Sequence, residues 1–171
     1  MVHEKMNIEI LEARDNDIPV LQNLARFYVY DMSEYMGWRC PEDGLFGCRD
    51  DDFWGDKRNH FFVVRVDREL AGFAVIEEID EYESADYDVA EFFILRKFRR
   101  RGVGRHVAHT LFDRFRGNWQ VRQLPDNLPA PIFWRKVISE YTLGNYEESL
   151  EFLAKYGFEM VTQRFNNKTD G

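Results

Sequence analysis

Three stretches rich in β-branched and aromatic residues, Phe61 to Val66, Leu70 to Ile79 and Tyr87 to Leu95, follow one another in the middle of the chain. Each reads as a strand, and Asp67-Arg68-Glu69 between the first two predicts a hairpin turn. Directly after the third comes Arg99-Arg100-Arg101-Gly102-Val103-Gly104-Arg105, and Val103, Val107, Leu111, Phe112 and Phe115 then recur at helical spacing as far as Gly117. A hairpin feeding a third strand, a glycine-bearing basic turn and a helix demands a layered fold that mixes both element types.

The flanks extend the pattern. Ile8 to Glu12 reads as a short strand, with Asp15 or Asn16 as cap of a helix that tolerates Pro19 in its first turn and repeats Ile18, Leu21, Leu24, Ala25, Tyr28 and Met32. Gly37 to Asn59 has no clean period and is expected to be a long loop with a short helix near Asp51 to Asp56. Downstream, Trp119 to Leu124 predicts a strand. Asn127, Pro129 and Ala130 predict a helix start, with Ile132, Phe133, Val137, Ile138 and Tyr141 on the buried side. A short helix over Leu150 to Tyr156, a stop at Gly157 and a strand Phe158 to Phe165 complete the expectation. At 171 residues the chain is read as one domain, residues 1–171, able to bury about two-thirds of its extended surface.

Composition removes several classes. A chain that is 44% apolar and 16% aromatic is not disordered. Apolar runs such as Phe92 to Leu95 fall far short of the roughly 20 residues of a membrane helix, so no membrane role is expected. Met1 to Glu12 shows neither a signal core nor an Arg-rich presequence, and the expected location is cytoplasmic. Cys40 and Cys48 lack CxxC spacing and are read as free thiols; even with His60 they suggest no metal site. A net charge of −8 argues against nucleic acid as partner. That charge is segregated: Glu77, Glu78, Asp80, Glu81, Glu83, Asp86, Asp88 and Glu91 form an acidic block, and Arg96, Lys97, Arg99, Arg100, Arg101 and Arg105 a basic one.

A turn that leaves a strand and opens a helix aims backbone N–H groups and a helix dipole at an anion. Glycine at 102 and 104 permits positive φ and close approach of the main chain, and the flanking arginines add charge-assisted bonds. A phosphate-bearing ligand fits this pattern. The P-loop is excluded because Val103-Gly104-Arg105 replaces Gly-Lys-Ser/Thr, and the dinucleotide fingerprint because His106 and Val107 stand where a third small residue belongs.

Strand, Arg-x-x-Gly-x-Gly and helix resemble the acetyl-CoA motif of the GNAT superfamily of N-acetyltransferases, and Asn127-Leu128-Pro129-Ala130-Pro131-Ile132-Phe133-Trp134-Arg135-Lys136 is similar to its second motif. The resemblance covers nearly the whole chain. It implies an α/β fold with a mixed, mostly antiparallel central sheet, helices on both faces, and strands splayed around an acyl-CoA site. It further implies acetyl-CoA as co-substrate. The backbone of Phe92, Phe93 and Ile94 would pair with the pantetheine arm, and the amides of Arg99, Arg100, Arg101, Gly102, Val103, Gly104 and Arg105 would hold the diphosphate. Asn127, Phe133 and Trp134 would line the opposite wall. On the residues alone, Asn127 serves equally as a helix cap, and Phe133 reads as core rather than cofactor wall.

Acetylating an amine requires a proton acceptor, because an alkylammonium with a pKa of about 10.4 has no lone pair near neutral pH. A backbone N–H on the strand Phe92 to Ile94 would serve the developing oxyanion. By the resemblance, Asp88 stands where some members keep a glutamate base, and Glu91 lies one residue off that face. In so acidic a block each is also a solvated face residue. Trp134 replaces the tyrosine that many members carry, and an indole N–H is no proton source near pH 7. Tyr141 is the substitute candidate acid, and departure of the thiolate without a dedicated acid is the other option.

Asp31, Glu34, Glu42, Asp43, Asp50, Asp51 and Asp52 add negative charge in the first helix and the loop after it, which predicts a cationic amine or basic peptide as acceptor. The same charges also serve solubility. The competing function is a non-catalytic acyl-CoA binding module, and a monomer or homodimer is expected.

Overall fold

A computed structural model describes residues 6–79 and 84–168. Asp80, Glu81 and Glu83 of the acidic block lie outside the described residues. Among the described residues seven strands, β1 (Ile8–Glu12), β2 (Asn59–Val66), β3 (Glu69–Glu78), β4 (Tyr87–Ile94), β5 (Asn118–Gln123), β6 (Glu147–Leu153) and β7 (Phe158–Asn166), form an open mixed sheet ordered β1-β2-β3-β4-β5-β7-β6. The helices are α1 (Ile18–Met36), α2 (Asp51–Gly55), α3 (Val103–Arg114) and α4 (Pro129–Thr142). Contacts divide the chain into two compact units, Met1–Ile76 with Glu91–Val107 and Glu77–Ala90 with Ala108–Gly171.

In the first unit β1 runs antiparallel to β2, Ile8 opposite Val66 and Glu12 opposite Phe62. Asp67 and Arg68 take left-handed φ values of 51° and 70°, the turn sense whose twist matches a tight hairpin, so β3 follows β2 directly. Helix α1 buries Leu21, Leu24 and Ala25 and stops at Gly37, where a φ of 67° suits glycine. Neither Asp15 nor Asn16 caps it. Asp15–Asp17 is a single 3-10 turn, and α1 follows Asp17, whose carboxylate accepts the Arg14 N–H instead at 2.8 Å. Helix α2 is capped by Asp50, whose side chain accepts the Phe53 N–H at 3.0 Å, and Trp54 stacks on Phe61 with ring centres 5.2 Å apart.

In the second unit the parallel β4–β5 ladder pairs Tyr87 with Trp119 and Asp88 with Gln120, and β7 runs antiparallel between β5 and β6. Trp119 stacks on Phe165, and Phe112 meets both rings edge-on at 4.9 Å. The expected helix over Leu150 to Tyr156 is instead the end of β6 and a turn. Leu153 pairs with Phe158 across that turn, which Gly157 closes at a φ of 76°. The local composition suits a helix, but cross-strand pairing with β7 decides the outcome. Helix α4 starts after Leu128 without a side-chain cap, and it is the backbone carbonyl of Asn127 that receives the Ala130 N–H, at 2.9 Å.

Candidate active site

Strand β4 leads through one 3-10 turn, Arg96–Phe98, into the basic loop and then α3. Arg100 and Gly102 take left-handed φ values of 58° and 82°. Gly104, expected to share that conformation, lies inside α3 instead, so the left-handed pair is Arg100 and Gly102. A non-glycine residue held there costs of order 1 kcal/mol, a strain that collects at binding turns. The two reversals curl the main chain immediately before the N-terminus of α3, the kind of concavity that gathers amides around an anion. An added side-chain carbon at Gly102 would meet nothing within 4 Å, so the backbone is bare on that side. Arg100, Arg101 and Arg105 are exposed around it. This set of donors fits a diphosphate.

Arg99 has a different task. Its Nε donates to the Ile94 carbonyl at 2.6 Å, an Nη donates to Asp31 at 2.9 Å, and its guanidinium lies 5.3 Å from the centre of the Phe93 ring. Arg96 donates to the other Asp31 oxygen at 2.8 Å. Asp31 therefore ties α1 to both ends of the turn. Two other carboxylates expected to attract an acceptor are also bound locally: Asp43 accepts the Leu45 N–H, and Asp50 caps α2. Glu34, Glu42, Asp51 and Asp52 are exposed.

On β4, Phe93 is buried against Tyr28 and Phe73, and Phe92 is half-buried. Gly72 of β3 lies so close to the Phe93 carbonyl that a side-chain carbon would collide with that oxygen. The Leu95 N–H donates to the Ala71 carbonyl at 2.8 Å. Glu91 is 3% exposed; its Oε1 accepts the Arg49 Nε at 2.6 Å, and its buried Oε2 has no hydrogen-bond partner among the described residues. Burial pushes its carboxyl above the ordinary value, and Arg49 opposes that rise only partly. Burial, reinforced by the Glu91 charge, also keeps the Tyr28 phenol protonated well beyond its usual range.

The second unit holds the other expected residues. Asp88 is buried and accepts from Gln120 Nε2 at 2.9 Å and from Arg122. Tyr141 donates its hydroxyl to Asp113 at 2.8 Å, packs on Phe112 and His109, and is pushed above its ordinary pKa mainly by burial. Trp134 turns into the core against Phe112, while Phe133 is half-buried. Among the described residues no group of three or more His, Cys, Asp or Glu side chains is placed to hold a metal ion, and both cysteines are free. None of the described helices is long and apolar enough to cross a membrane.

Residues 24–138 match the family model described as Acetyltransferase (GNAT) family. The chain belongs to that family. Solved structures repeat the GNAT fold at low identity. An acetyltransferase from Thermus thermophilus is 14% identical with a TM-score of 0.64, covering 94% of this chain and 97% of that one. The ribosomal-protein-S18-alanine N-acetyltransferase of Escherichia coli is 15% identical with a TM-score of 0.61, covering 96% and 97%. A Bacillus subtilis acetyltransferase in complex with CoA is 11% identical with a TM-score of 0.57, covering 96% and 100%. Comparison with curated protein sequences finds no significant match.

Within this GNAT chain, two residues around Glu91 escape the sequence reading. Arg49 sits in an aperiodic loop between Cys48 and Asp50, and Tyr28 reads simply as an apolar position of α1. Their only sequence-level signal is chemical: a buried acid on a strand requires a cation from elsewhere in the chain.

Proposed function

We propose that this chain, as one domain, transfers an acetyl group from acetyl-CoA to the nitrogen of a cationic amine, with Glu91 as proton acceptor. The observation that carries the reading is the turn from Arg99 to Arg105, with Arg100 and Gly102 left-handed at the mouth of α3. The backbone amides of that turn, with Arg100, Arg101 and Arg105 around them, would bind the diphosphate. The strand Phe92 to Ile94 would align the pantetheine arm. Bound acetyl-CoA supplies a thioester, an acyl carbon already activated toward amines.

Glu91 suits the base role better than Asp88 does. A carboxyl pushed up by burial moves toward the working pH, and Oε2 is left to receive a proton. Asp88 already accepts from two donors. The amine gives one proton to Glu91, its nitrogen forms the bond to the acyl carbon as the carbon–sulfur bond breaks, and its second proton leaves to the thiolate or solvent. Tyr141, engaged with Asp113, has no part in this scheme, and none is given to Trp134.

Calorimetry with acetyl-CoA tests the cofactor assignment on the wild type and Gly104→Glu. Position 104 is helical, so glutamate is compatible with the backbone there while placing a negative charge at the anion site. Affinity should fall at least tenfold, and unchanged affinity refutes the site. Product formation across a panel of amines at low and high salt then tests the acceptor, since a steered cation loses kcat/KM as the field is screened. Binding without product from any amine would favour the non-catalytic module.

A further inference from the structure

We propose that Arg49 is a positioning residue for proton transfer: by holding Oε1 of Glu91 it orients the carboxylate and leaves the buried, unpaired Oε2 to take the proton that the substrate gives up. This rests on the reading of Glu91 as the proton acceptor.

The geometry is asymmetric. Arg49 makes its contact with Glu91 through Nε, at 2.6 Å, and its side chain remains 48% exposed while Glu91 is buried. A buried carboxylate with one oxygen paired and the other bare is an expensive arrangement for a purely structural ion pair, which gains most when both oxygens are satisfied. It is a suitable one for a base that must take a proton on the bare oxygen.

Arg49 is itself held on two sides. The buried indole of Trp54 donates to its carbonyl at 2.8 Å, and its guanidinium lies 5.0 Å from the centre of the Phe53 ring. Trp54 in turn stacks on Phe61 of β2. Upstream, Arg26 of α1 donates to the Phe46 carbonyl at 2.6 Å, fastening the loop that delivers Arg49. The groups facing Glu91 are thus Arg49 from this loop and Tyr28 from α1; the phenol stays neutral, so the guanidinium is the charge that tunes the carboxylate.

The sign is fixed by this arrangement. Arg49 favours the ionised acid, so its removal must raise the pKa of Glu91 further. In Arg49→Met the acidic limb of the kcat/KM profile should move up by about one pH unit, with activity lost at low pH and recovered at high pH. Arg49→Lys, which restores the charge, should bring the limb most of the way back. Trp54→Phe removes the indole N–H that anchors the Arg49 backbone while keeping an aromatic ring against Phe61, and it should give a smaller shift of the same sign; it decides the matter if Arg49→Met does not fold. Carbon-13 NMR titration of the Glu91 carboxyl, without substrates, should follow the same order of variants.

An unmoved limb in Arg49→Met or Trp54→Phe, with Glu91→Gln inactive but still binding acetyl-CoA, overturns the role of Arg49 and leaves Glu91 as base. Full activity in Glu91→Gln overturns both. A shifted limb with lysine rescue supports the proposal.

Discussion

The Arg99 guanidinium folds back on the strand that precedes it, its Nε 2.6 Å from the Ile94 carbonyl oxygen and one Nη 2.9 Å from Asp31. One planar group thereby fixes the distance between the end of β4 and the start of the basic turn. Lysine carries the charge but not the fork. Arg99→Lys is therefore expected to lower stability by about 1–2 kcal/mol and to weaken acetyl-CoA binding by loosening the turn, as read by denaturant unfolding and calorimetry.

The two glycines of the motif should respond with opposite signs. Gly102 has a φ of 82° and open space beside it, so Gly102→Ala brings backbone strain without a clash, costing about 1 kcal/mol. Gly104 is helical, and Gly104→Ala should stabilise by up to about 1 kcal/mol. Equal losses in chemical denaturation would contradict the left-handed assignment at Gly102.

Asp88 and Glu91 are separable by one substitution each. Asp88→Asn strips the charge from a partly buried pair with Arg122 and should destabilise by about 2 kcal/mol. Its acidic limb should coincide with that of the wild type, because Arg49 and Glu91 are untouched. A moved limb would return Asp88 to consideration as the base.

Acid stability has a marker in the second unit. Arg164 pairs with Glu151 and draws its carboxyl from 4.5 down to about 2. A folded pKa below the unfolded one adds stability above pH 4.5 that disappears as pH falls toward 2. Glu151→Gln should therefore melt below the wild type at neutral pH and converge with it as pH approaches 2, as followed by thermal melts between pH 2 and 7. The difference at neutral pH should shrink in salt, since the pair is partly exposed.

The fold was legible wherever local chemistry and tertiary pairing agree. The two-residue turn at Asp67 and Arg68, the capped α2 and the basic turn before α3 all carry their own signals. Strand β6 does not: Glu147–Leu153 has the composition of a helix, and only its register with β7, Glu147 opposite Arg164 and Leu153 opposite Phe158, makes it a strand. Likewise the motif names its glycines but not which residue reverses handedness, and Arg100 takes a place that composition would assign to Gly104. The Arg49–Glu91 pair joins residues 42 positions apart through a loop with no period, and nothing short of the folded chain brings them together.

Glycine at position 72 has a consequence for any attempt to redesign this protein. Because the Phe93 oxygen fills the place of a side chain there, a library randomised across β3 should return substitutions on either side while keeping one site invariant. Selection for catalysis and selection for simple solubility would then converge on the same missing carbon, since the strand that rests on it also bears Glu91.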